Sequence, residues 1–162
     1  MKSACQLGKI PQSRRYVSGA NMVIHRHVFD AVGLLNHRTF LYFEELDFTY
    51  RARAAGYQQG HIDGLMVEHQ GAASSEGKGM KNVRMYNETW STLDFYKHHQ
   101  KGLFPLMLMA RTLARSLTLL VSGRHNQIKT VFIATYSFLM NENPYVLLPK
   151  IKKISEFSLC QK

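Results

Sequence analysis

Glu44, Glu45 and Asp47 place three carboxylates within four residues, directly after the aromatic run Phe40-Leu41-Tyr42-Phe43. Neighbouring carboxylates that are also partly buried push one pKa toward neutrality. A carboxylate tuned in this way can take a proton from a hydroxyl as a general base. A helix N-terminus offers a structural reason for the same cluster, because its dipole favours each nearby anion by about 0.3–1 kcal/mol. Asp47 has two readings: it belongs to the reactive set, or it forms a local ion pair with Arg51 one turn later. Glu45 has Thr49 at the equivalent position and so lacks such a partner. His69 closes the apolar run Leu65-Met66-Val67-Glu68 and precedes a stretch rich in Gly, Ala and Ser. An imidazole so placed is either a divalent-metal ligand or a structural side chain.

The elements that must carry these residues can be read from pattern. Tyr16 to Ile24 is apolar around Gly19 and reads as a strand or buried loop in which backbone runs close to a neighbour. His25 to Val32 predicts a short helix stopped by Gly33. Thr39 to Phe43 reads as extended, and Glu44 to Ala55 as a helix with Leu46, Tyr50 and Ala54 on one face and Gly56 as its stop. Residues 57–69 read as extended and 70–79 as a loop. From Met80 to Gln100 a second helix follows, whose stripe Val83, Tyr86, Trp90, Leu93 predicts core packing.

Charge divides the chain. Residues 1–94 hold eleven basic and nine acidic residues, whereas residues 95–162 hold ten basic and two acidic, Glu142 and Glu156. The excess of +8 in the second part points to an anionic partner, lipid or nucleic acid. Leu103 to Ser122 is mostly apolar but carries Arg111 and Arg115 on one helical face. A central arginine costs about 2.5–3.5 kcal/mol on insertion scales, which argues against a spanning helix and for one lying in a membrane interface. A second helix over about 127–140 and the basic tail Lys150-Ile151-Lys152-Lys153-Ile154 follow. The competing reading is a helical hairpin packed on the domain with a solvated charged end. Long aliphatic runs between the cations, without a nucleic-acid motif, exclude nucleic acid as the partner. Cys5 and Cys160 have no metal or disulfide spacing, and Met1 to Lys9 holds no apolar run of signal-peptide length, which predicts a cytoplasmic location.

Taken in order, Val17-Ser18-Gly19-Ala20-Asn21-Met22-Val23-Ile24, Arg26, Phe29, Val32-Gly33, Phe40 to Phe48, Arg51, Ala55-Gly56-Tyr57 and His69 resemble the C-terminal half of family 2 glycosyltransferases. The likeness covers about residues 16–75 and is greatest to rhamnosyltransferase-type enzymes of bacterial surface-polysaccharide (lipopolysaccharide, O-antigen) assembly. It implies an α/β chain holding the acceptor-side half of a GT-A fold over 16–102, after a loosely ordered lead-in (1–15) and before a cationic amphipathic helical region (103–162). It implies inverting transfer from a nucleotide sugar to a lipid-linked or polysaccharide acceptor at the inner face of the cytoplasmic membrane. In that scheme Glu45 is the base, Glu44 and Asp47 orient it or the acceptor, and Gly19, Ala20 and Arg51 line the substrate. His69 supports a divalent cation, Mg or Mn.

The chain departs from that family in three places. Glu45 stands where the family has Asp, one methylene shorter. Leu34-Leu35-Asn36-His37 replaces the usual Gly-Phe-Asp-Glu. No Asp-x-Asp, the family's metal and diphosphate motif, occurs in the 162 residues. The expectation is a fragment that binds neither nucleotide sugar nor cation by itself. The alternative from another class is a small membrane-surface scaffold without catalysis.

Overall fold

The structure is a computed structural model that describes residues 7–9, 19–62, 67–68 and 80–145. Its elements are strand β1 (Leu7–Lys9), a 3-10 turn (Gly19–Asn21), helices α1 (Arg26–Val32) and α2 (Glu44–Ala54), strand β2 (Gly60–Ile62), helix α3 (Met80–His99), a second 3-10 turn (Lys101–Leu103), and helices α4 (Phe104–Val121) and α5 (His125–Leu139). The chain folds as two compact units. One holds Met1–Asn36 with Glu44–Gly71, and the other holds His37–Phe43 with Ala72–Lys162.

This is a helical protein, and the α/β reading with half of a GT-A sheet is corrected. Among the described residues the only strands are β1 and β2, an antiparallel pair of three residues each in the register Leu7 to Ile62 and Lys9 to Gly60. A parallel sheet needs long apolar strands joined by helical crossovers, and the segments expected to be extended do not supply them. Gly19–Asn21 is a 3-10 turn followed by irregular chain, and Thr39 to Phe43 bends rather than extends. Tyr42 and Phe43 adopt left-handed backbone, with φ of 68° and 70°, which no strand accommodates.

In the first unit, α1 starts on the His25 ring, whose Nδ1 accepts from His27 N–H, and stops at Gly33, whose N–H reaches the Phe29 carbonyl at 2.8 Å. α2 carries its three acids in the first turn and Arg51 and Arg53 in the last, matching the helix dipole at both ends. Gly56, at φ 86°, ends it in a Schellman turn: its N–H bonds the Arg53 carbonyl and that of Tyr57 bonds Ala52. The face expected to pack, Leu46, Tyr50 and Ala54, is not the buried one. Phe48 and Ala52 are buried together with Asp47 and Thr49, and Tyr50 and Ala54 are exposed. Phe29 of α1 decides this by packing its ring 5.2 Å from that of Phe48.

In the second unit the predicted stripe of α3 is the core. Val83, Tyr86, Trp90 and Leu93 are buried with Ala134 and Phe138 of α5, and Phe104, Leu108 and Ile133 pack around them. Trp90 meets Phe138 edge-on at 5.6 Å, and Tyr86 shares a 2.7 Å hydrogen bond with Ser137. Burial is the main reason the Tyr86 hydroxyl is held above its ordinary pKa; the Ser137 bond opposes it and the charge of Glu142 adds to it. A second patch joins Met85 of α3, Leu119 of α4, and Val131 and Ile128 of α5. The α4–α5 connection is tight because Gly123, at φ 70°, lets its own N–H and that of Arg124 return to the carbonyls of Leu120 and Leu119.

Trp90 fills the centre of this core. Trp90→Ala is expected to lower unfolding free energy by about 3–5 kcal/mol, read as a fall in the urea midpoint. Leu113→Ala, on the exposed side of α4, should stay within about 0.5 kcal/mol of the parent.

Candidate functional site

α2 begins at Glu44 immediately after the two left-handed residues Tyr42 and Phe43. Bulky residues in that backbone region cost about 1–3 kcal/mol each and cluster where a following side chain must be aimed. Glu44 and Glu45 occupy the first two positions of the helix and are half-buried. Each has one buried carboxyl oxygen, Oε2. Thr49, one turn after Glu45 on the same face, is buried as well.

The pair is electrostatically uneven. Burial is the largest influence on Glu44 and raises its pKa; a backbone hydrogen bond opposes that, and the charge and hydrogen-bonding carboxyl of Glu45 raise it further. The resemblance puts the expected base at the neighbouring Glu45.

Gly19 lies against Glu45. A methyl group added at Gly19 would sit 3.8 Å from the Glu45 carboxyl carbon and 3.9 Å from Oε1. The structure thus brings together Gly19 and Glu45, two residues 26 positions apart that the sequence placed in one site. Ala20 follows in the same 3-10 turn.

Asp47 and Arg51 are committed to each other. Arg51 Nε bonds Asp47 Oδ2 at 2.9 Å, the i,i+4 ion pair. The rest of the guanidinium donates to the carbonyls of Val32 and Leu34, the latter at 2.8 Å, and stacks over Phe48 at 5.4 Å. This ties the end of α1 to α2 and uses three of the five N–H donors of the guanidinium. His69 lies outside the described residues, as do Cys5, Cys160 and the basic tail. Among the described residues no group of three His, Cys, Asp or Glu side chains is placed to hold a metal ion.

The sequence reading missed the strained pair Tyr42–Phe43 and the buried hydroxyl of Thr49. Neither has a local signature: left-handed backbone normally announces itself by Gly or Asn, and Thr49 reads as an ordinary helix residue.

The sequence matches no protein-family profile, and no solved structure matches it. It is 30% identical over 100 residues to "Uncharacterized protein y4gI" of Sinorhizobium fredii (strain NBRC 101917 / NGR234), an alignment that covers 56% of this chain and 11% of that protein. The chain therefore spans about a tenth of the length of that relative.

A raised carboxyl pKa carries a stability consequence. The folded state holds the Glu44 proton more tightly than the unfolded one, so it loses stability as pH rises from the unfolded pKa through the folded pKa. Below that window there is no penalty. Glu44→Gln, a neutral isostere, is expected to raise the melting temperature at pH 7 and leave it unchanged near pH 4. Thermal melts across pH 4–8 test this, and an equal change at both ends would show that the carboxyl is not perturbed in the fold.

Proposed function

We propose that this chain is the acceptor-side part of an inverting, rhamnosyltransferase-like sugar transferase, with Glu45 as the base that activates the acceptor. The observation that carries the reading is the half-buried carboxyl pair at the start of α2, with Gly19 beside it. The ordered likeness over residues 16–75 to family 2 glycosyltransferases supports it.

The chemistry follows from the side chains. A saccharide hydroxyl seated against Glu45 donates its proton to the carboxylate as its oxygen attacks the anomeric carbon of the donor sugar. The bond from that carbon to the diphosphate oxygen breaks on the opposite side, and the nucleoside diphosphate leaves with the electron pair, inverting the centre. Gly19 leaves room beside the carboxyl that a side chain would fill. Glu44 stands beside Glu45 in the first turn of the same helix. Arg51 and Asp47 hold the helix that bears the pair rather than touching substrate. The donor's diphosphate and its cation would be held by residues outside these 162, because no Asp-x-Asp occurs among them.

A scaffold without catalysis is the second reading, favoured by the exposed apolar side of α4. A transfer assay separates the two. The chain is combined with a polypeptide supplying the nucleotide-binding half, a labelled nucleotide sugar and membrane acceptors, and incorporation into the lipid or polysaccharide fraction is counted. Loss of a general base costs about 10²–10⁴-fold, so Glu45→Gln should reduce incorporation by that factor with the fold intact. Incorporation by Glu45→Gln at the parent rate would remove Glu45 as the base.

A further inference from the structure

α4 presents two different sides. At about 100° per residue, Leu106, Met109, Leu113, Leu117 and Leu120 fall within an arc of about 80°, and each is more than half exposed. Arg111 and Arg115 lie on the opposite side and are turned to α3. Arg115 reaches Glu88 at 2.7 Å, and the Arg111 guanidinium stands 5.3 Å over the Tyr96 ring. Together with Thr89, Thr92 and Thr112 they border an open cleft of about 220 Å³ between the two helices. The charges that break the apolar character of this helix in sequence are thus absent from its outer face.

The sequence from residue 95 to 141 is of one sign. Between Asp94 and Glu142 there is no acidic residue, while Lys97, Lys101, Arg111, Arg115, Arg124 and Lys129 all fall there. On α5, Lys129, Phe132, Tyr136 and Met140 recur at helical spacing and are all exposed, the mixture of cation and aromatic that suits a headgroup layer. An apolar face on a cationic body calls for a partner that is apolar and anionic at once.

We propose that the outer face of α4 lies in the interface of an anionic phospholipid membrane, with the helix axis parallel to the surface. A second copy of this chain would bring two molecules of net charge +10 together across the stripe, and a nucleic acid would leave five apolar side chains without a partner. α4 is long and apolar enough to cross a membrane. Crossing would break the Arg115–Glu88 pair and strip Leu119 from Met85 and Val131, so the packed helix lies along the surface. The inference does not depend on the sugar-transfer reading.

Flotation of the whole chain with vesicles of phosphatidylglycerol and phosphatidylcholine tests it. The chain is expected to float with these vesicles at low salt, at least tenfold less with phosphatidylcholine alone, and to be released by alkaline carbonate. Leu113→Glu with Leu117→Glu should reduce flotation at least tenfold with an unchanged melting curve. As a readout independent of charge substitution, Leu117→Trp should show a blue-shifted emission on addition of anionic vesicles. The proposal is overturned if the parent chain does not float, if the double variant floats equally, or if the emission of the Leu117→Trp variant does not move. A parent dimer dissolved by the double variant, without flotation, would give the face to a second copy instead, and resistance to carbonate would make α4 a span.

Discussion

Asp94 is a carboxylate with no exposure to solvent, and the second unit is arranged around it. A buried charge is tolerated only when paired, because an unpaired one costs several kcal/mol. Arg38 Nε approaches Asp94 at 3.3 Å and His98 Nδ1 at 3.6 Å. Arg38 is 56 residues earlier in the chain, so the pair pins the segment His37–Phe43 to α3. Further contacts reinforce the tether. Ser91 donates to the Leu41 carbonyl, Phe43 packs on Phe95, Arg38 stands over Trp90, and the Tyr145 hydroxyl donates to the His37 and Thr39 carbonyls. A short segment held at so many points has little freedom in its backbone. Tyr42 and Phe43, with their left-handed backbone, close that segment.

The same logic of paired charge shapes α4. In sequence its two arginines look like interruptions of an apolar segment. In the fold each has a partner on α3, a carboxylate for Arg115 and an aromatic face for Arg111. Amphipathicity here is therefore a matter of which side faces α3, with the polar side turned inward and the apolar side outward. That inversion of the usual globular pattern is why the outer face needs an explanation from outside the chain.

The helices were legible where apolar period alone decides them. Val83, Tyr86, Trp90 and Leu93 could be read as core because each large side chain falls on one stripe and no polar residue competes for it. α2 was legible as a helix, from its acids, its arginines and Gly56, but its buried face was not. Periodicity counts only apolar residues, and this face is half polar: Asp47 is buried because Arg51 pairs with it, and Thr49 is buried beside it. Thr39 to Phe43 failed as a strand for a related reason. Aromatic and β-branched residues favour strands on average, yet here Arg38, Leu41 and Phe43 are each bound by a different residue of α3, and tertiary contacts overrode local preference. In the site, the proximity of Gly19 to Glu45 was reachable only through the ordered likeness to a family. The burial that raises the Glu44 pKa exists only in three dimensions.

The helical architecture bears on how much of a sugar transfer these residues could perform. Activating an acceptor hydroxyl asks for one carboxylate, aimed and partly dehydrated, beside enough open space for a ring. A helix N-terminus can provide that without a sheet beneath it. Holding a nucleoside diphosphate asks for more, commonly the loops at the carboxyl ends of parallel strands, and the three-residue pair β1–β2 is not that platform. The two halves of the reaction have different structural demands. The glutamate at position 45, where the likeness has aspartate, fits this division. The longer side chain brings the Glu45 carboxyl carbon to 3.8 Å from where a methyl group on Gly19 would stand.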